Sequence, residues 1–90
     1  VPKEKIETKV FPNPIYDFLH VEFEATNREV ISIELFNLDG KLIKHLYRDV
    51  PKQGSNRLSF NRAALSSGTY QLLIRNENEI LHNEQVLVLD

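Results

Sequence analysis

The 90-residue sequence predicts an all-β domain: a small antiparallel sandwich of two sheets and about seven strands. Three observations point there. Apolar residues alternate with polar ones at period two in Leu19-Val21-Phe23-Ala25, Ile31-Ile33-Leu35 and Tyr70-Leu72-Ile74. Turn-forming residues recur roughly every 8 to 12 positions, the spacing of short strands. No stretch carries a helical period beyond a single turn.

Each element has its own local reason. Val1 to Lys5 is polar and contains a proline, so it reads as the end of a linker; Ile6 to Phe11 then reads as a short strand. The first unit is thus residues 1–9, the linker end and the start of a strand, and the sandwich proper is 10–90. Pro12-Asn13-Pro14 stops that strand, because two prolines remove backbone donors and restrict the residues before them. From Asp17 to Ala25 a half-buried strand is expected, with His20, Glu22 and Glu24 outward. Val30 to Asn37 repeats the pattern, with Ser32, Glu34 and Phe36 outward. Asp39-Gly40 supplies residues that tolerate positive φ, so Lys41 to Tyr47 returns as the hairpin partner.

Val50 to Gly54 reads as a loop, and Asn56 to Phe60 as a strand through Leu58 and Phe60. Asn61 to Ser67 offers an N-cap and the apolar trio Ala63, Ala64 and Leu65, enough for one helical turn ended by Gly68. Thr69 to Arg75 is a strand with Tyr70, Leu72 and Ile74 inward. Asn76 to Glu79 is a turn, and Ile80 to Leu89 a last strand with a break expected near Asn83. The whole is an immunoglobulin-like arrangement.

Composition narrows the function classes. Eleven Lys plus Arg against thirteen Asp plus Glu leave a net charge of -2, which supplies no field for phosphate backbones, so nucleic acid is not an expected partner. With no cysteine there is no disulfide, thiolate nucleophile or Cys-ligated zinc. No apolar run approaches the roughly 20 residues of a transmembrane helix. The absence of a start Met suggests a piece of a longer protein.

Candidate chemistry is sparse. His20, His45 and His82 fall on three strands without metal-site spacing, so no cofactor is expected. Glu22 and Glu24 share an outward face, with Glu34 beside them if their strands pair, but an open sheet face solvates every carboxylate and does not split their pKa values. Ser66 and Ser67 lack a nucleophile-elbow context. Lys41, Lys44, Arg48 and Lys52 form a loose basic stretch that reads as solvated strand edge. Phe36, Tyr16 and Tyr47 are aromatics that offer either a sugar-binding platform or core packing. No catalytic residue is expected.

The order of turn signals is more specific. Val10-Phe11-Pro12-Asn13-Pro14, then Ile33-Glu34-Leu35-Phe36-Asn37-Leu38-Asp39-Gly40-Lys41, then Leu65-Ser66-Ser67-Gly68-Thr69-Tyr70, and finally Val86-Leu87-Val88 follow one another along the chain. Together they resemble the C-terminal sorting domain, type A, of the type IX (Por) secretion system of Bacteroidetes. The resemblance runs from about Val10 to the end. It makes Pro12, Asn13, Pro14, Asp39, Gly40, Lys41, Gly68, Tyr70, Val86, Leu87 and Val88 the family-motif residues, structural or recognition in role.

What the resemblance implies is an address. It implies an N-terminal cargo domain, recognition by the outer-membrane translocation machinery, removal by a sortase-like peptidase, and passage through the periplasm to the cell surface or medium. One departure stands out: the family's basic residue before its last apolar stretch is replaced here by Asn83-Glu84-Gln85. The alternative reading is an accessory module, fibronectin-like or carbohydrate-binding, of a secreted hydrolase. As an edge at a chain end, the last strand is expected to offer backbone groups to a receptor by strand addition.

Overall fold

A computed structural model describes residues 7–62 and 65–90. The linker reading of Val1 to Lys5, the strand start at Ile6, and Ala63 and Ala64 lie outside them. The described residues form seven strands: β1 (Thr8–Phe11), β2 (Phe18–Ala25), β3 (Ile31–Phe36), β4 (Leu42–Asp49), β5 (Gly54–Asn61), β6 (Gly68–Arg75) and β7 (Ile80–Val88). They make two antiparallel sheets, β1-β2-β5 and β4-β3-β6-β7, so the expected two-sheet architecture is the observed one.

Period-two patterning places the core between the sheets. Leu19, Val21, Phe23 and Ala25 of β2 face Ile31, Ile33 and Leu35 of β3 and Tyr70, Leu72 and Ile74 of β6, all buried. Tyr70 keeps its hydroxyl satisfied by donating to the Ser66 carbonyl at 2.6 Å, which lets a polar tip sit at the core margin. The β3–β4 hairpin turns at Gly40, φ +85°. Asn37 organises it: its side-chain oxygen accepts from the amides of Asp39 at 3.0 Å and Lys41 at 2.9 Å.

Three expectations are corrected. Ser32 and Glu34 are not solvated; both are buried, because β3 is an inner strand and long side chains from β4 and β6 fold over its outer face. Glu34 does not lie beside Glu22 and Glu24, since β2 pairs with β1 and β5 and belongs to the other sheet. Asn61 is the last residue of β5, and the helical turn expected after it runs through Ala63 and Ala64, outside the described residues; the described part of that segment holds one turn bond, Leu65 amide to Arg62 carbonyl at 2.9 Å. The irregularity of β7 is at Leu81, not Asn83, which pairs in register with Leu73. Leu81 and Val86 differ by an odd number, so both reach the core only if an extra residue shifts the phase.

Tyr70→Ala is expected to lower stability by about 3 to 5 kcal/mol, the cost of removing a buried ring. Tyr70→Phe, which loses only the hydrogen bond, should cost about 0.5 to 1.5 kcal/mol. Urea midpoints check both; equal losses for the two variants would show that the ring does not pack as described.

Candidate functional site

The strands run so that one pole of the sandwich gathers the end of β1, the start of β2, the β3–β4 hairpin, the start of β6 and the end of β7. All the motif residues therefore lie at that pole, although they span most of the chain. The start of β1, where Thr8 pairs with Phe23, lies toward the opposite pole.

The centre of the motif pole is the passage from β1 to β2. Pro12 and Pro14 end β1 and keep the chain from continuing the ladder, so it leaves its own sheet and reaches the last strand of the other. Ile15 forms a parallel bridge with Val88: its amide donates to the Leu87 carbonyl at 2.7 Å and its carbonyl accepts from Leu89 at 2.9 Å. Its side chain is buried in the core. Asn13 extends the contact, its side-chain oxygen accepting from the Leu87 amide at 3.0 Å and its amide group reaching the Gln85 carbonyl at 3.5 Å. The backbone edge of β7 is thus closed at Leu87, and the expectation that the terminus offers a free edge for strand addition is overturned at that residue and at Leu89.

Arg62 was not singled out by sequence reasoning, yet it ties the same end down. Its guanidinium, largely covered by the fold, donates to the carbonyls of Leu89 and Leu65 and pairs with Asp90 at 3.1 Å, while its amide donates to Asp17 at 2.9 Å. The only signal available in the sequence was one arginine directly before a small, uncharged stretch, Ala63 to Ser67.

Around this clasp the motifs separate into two kinds. Val86, Val88 and Tyr70 are core; Tyr70 pairs with Val86, and Gly68, at φ +151°, with Val88. Asn13, Pro14, Thr69, Gln85 and Leu87 line a shallow surface depression of about 410 Å³. A second, of about 340 Å³, is lined by Phe36, Asn37, Leu38, Gly40, Gln71 and Leu73. The Gln71–Gln85 pairing joins the two. Asp39, Gly40 and Lys41 share the pole but lie across two strands from Pro12 to Pro14. Glu84, within the Asn83-Glu84-Gln85 stretch where a basic residue was implied, pairs with His82 at 2.8 Å and lies in register with inward-facing Leu72.

The acid and base candidates are placed elsewhere. The histidines sit on β2, β4 and β7: His20 hydrogen-bonds Ser59 at 2.7 Å, His45 lies 3.4 Å from Glu34, and His82 meets Glu84. Glu34 takes Arg75 at 2.8 and 3.3 Å. The Arg75 hydrogen bonds hold its carboxyl below the ordinary range of about 4.5, against the opposing effect of burial, and the charges of Arg75, His45 and Arg48 add to the shift. This is a structural carboxylate held ionised at neutral pH by its partners, not one poised for proton transfer. Tyr16 is exposed and Tyr47 is partly buried against the core, while Phe36 lines the second depression. The aromatic row that does form, on the outer face of the β1-β2-β5 sheet, is Phe11, His20 and Phe18, with ring centroids 5.3 and 6.5 Å apart.

Residues 9–88 match the family model described as the secretion system C-terminal sorting domain. In structure the chain is similar to an immunoglobulin-like protein from Pseudomonas aeruginosa, with a TM-score of 0.58 at 10% identity, covering 97% of this chain and 94% of the other. That likeness concerns the fold alone. No curated protein sequence matches.

Two outcomes follow from this geometry. Asn13→Ala should lower the urea midpoint by the equivalent of about 0.5 to 1.5 kcal/mol, since the Leu87 amide loses its partner; an unchanged midpoint contradicts the clasp. Glu34 has a lowered folded-state pKa, so its stabilisation is fully present above about 4.5 and is lost as pH falls through the folded value. Glu34→Gln should therefore cost about 1 to 3 kcal/mol at neutral pH, reduced toward the low end by the partial exposure of Arg75. The difference from the parent should shrink on acidification, and a gap that widens below pH about 4 would contradict the assignment.

Proposed function

The chain belongs to the family of secretion system C-terminal sorting domains, the addresses of type IX export, and on that premise we propose that it is a non-catalytic signal read as a folded unit at the motif pole. It directs a cargo protein out of the cell. The observation that carries this reading is the convergence of motifs 12–14, 39–41, 68–70 and 86–88 on one pole, opposite the start of β1. A cargo attached ahead of β1 leaves that pole uncovered for the outer-membrane translocation machinery. A sortase-like peptidase acting between cargo and domain would work at the far pole, without competing for the same surface. Transit is periplasmic, in the folded state.

Strand addition along the whole of β7 is not part of this reading, because Asn13 and Ile15 already occupy its terminal edge. The receptor instead meets side chains, chiefly those lining the two joined depressions. The Phe11–His20–Phe18 row favours a second reading, an accessory carbohydrate-binding module. It weighs less, since the Arg57 guanidinium lies 5.3 Å over the Phe11 ring and covers part of the platform.

Fusion of residues 7–90 behind a periplasm-directed reporter, in a bacterium with a type IX system, tests the proposal. The intact fusion should reach the surface or medium. The double substitution Leu38→Asp and Leu87→Asp, at exposed or half-exposed positions, should leave the reporter in the periplasm with the domain's β-type circular dichroism unchanged. Retention of the intact fusion in the periplasm, with binding to insoluble polysaccharide, would favour the accessory module.

A further inference from the structure

The outer face of the β4-β3-β6-β7 sheet carries a charge pattern that the sorting reading does not use. Register sets it out in rows. Arg48, Ser32, Arg75 and Ile80 lie side by side across the four strands, and the next row is His45, Glu34, Leu73 and Asn83. The third is Leu42, Phe36, Gln71 and Gln85. The single carboxylate in these rows, Glu34, is already neutralised: it is buried beneath Arg75 and His45. Arg48 is exposed and has no ion-pair partner among the described residues. In a chain of net charge -2, this face thus holds a positive surplus.

The surplus does not stand alone. Ser32 is small and buried between the two arginines, so the surface between Arg48 and Arg75 is low, and their Cα atoms are two strand spacings, or roughly 10 Å, apart. Leu73 lies in the row beside Arg75's, Phe36 one row further along the same face, and Ile80 is exposed at the end of the first row. The β4 edge bordering this face is poorly suited to pairing with another strand. Two extra residues, Ile43 and Leu46, interrupt its register, and bulges of this kind twist an edge away from a partner. An occupant is therefore recognised by side chains across the face.

We propose that this face binds an extended acidic segment of a partner protein, with carboxylates on Arg48 and Arg75 and apolar side chains over Leu73 and Phe36. Charge complementarity selects the partner's sign, and the interleaved apolar positions select a polypeptide over a polyanion. A surplus this small suits a phosphate backbone poorly, since affinity there grows with the number of neutralised phosphates. Phe36 and Leu73 also line the depression assigned above to the export receptor, whereas Arg48 and Arg75 do not, so the dependence on Arg48 in the isolated domain tests this inference apart from the export reading.

The test titrates the isotopically labelled domain with a short synthetic peptide alternating Glu and Leu, reading amide shifts. Saturable shifts should centre on Ser32, Glu34, Leu73 and Arg75. Arg48→Glu should weaken binding by about tenfold or more, as like charges then face each other, and Arg48→Gln by less. Neither touches the Arg75–Glu34 pair, so the fold is retained. Arg57→Glu, on the other sheet, should change nothing. No saturable shifts, equal binding of the matching Lys/Leu peptide, or indifference to Arg48→Glu would overturn the proposal. So would stronger Arg48-dependent binding to phosphatidylglycerol vesicles, which would assign the face to lipid.

Discussion

A two-sheet sandwich has loops crossing at its poles and nothing but side chains between its layers, so its sheets can slide unless backbone joins them. In this chain the join is made by Ile15. It leaves the β1-β2-β5 sheet, exchanges two hydrogen bonds with Leu87 and Leu89 of the other, and buries its own side chain in the core. The prolines on either side of Asn13 make the excursion possible by denying the segment a place in its own ladder. Asn13 then covers the Leu87 amide, and Arg62 caps the Leu89 carbonyl. The last residues of the chain are therefore needed to complete the fold begun by the first strands.

That dependence shapes the function. A sorting signal at the end of a chain is often pictured as a loose tail awaiting a receptor, but here the terminal strand is presented only when the whole domain has formed. Under the proposed reading, recognition at the motif pole would report that the domain is folded. The charge distribution divides the surface further: Glu34 spends its charge internally on Arg75 and His45, which leaves Arg48 as surplus on one face. The aromatic row lies on the opposite face.

Strand identities were legible in the sequence because one buried face per strand imposes period two, and Leu19 to Ala25 and Tyr70 to Ile74 obey it. Turns were legible where backbone chemistry restricts residue type, as at Asp39-Gly40 and Asn76 to Glu79. What stayed hidden depends on strand order, which periodicity does not encode. Ser32 and Glu34 look outward in any strand reading; only the placement of β3 between β4 and β6 covers them. The phase mismatch between Leu81 and Val86 was visible, but its resolution by a bulge required the register with Ile74 and Arg75. Asn37 acts through the amides of Asp39 and Lys41 within its own motif, and Arg62 through the carbonyls of Leu65 and Leu89, contacts that periodicity does not encode. The site was legible as a set of motifs and not as a surface, since their meeting at one pole is a product of topology.

The central claim is that the end of the chain is held by the β1–β2 passage and is not a free edge. Native-state hydrogen exchange at the amides of Ile15, Leu87 and Leu89, compared with Leu72 in the core, tests it most directly. The account predicts that all three open only with global unfolding, at the same free energy as Leu72. Exchange of Leu87 and Leu89 at the rate of an open strand edge, while Leu72 stays protected, would contradict it.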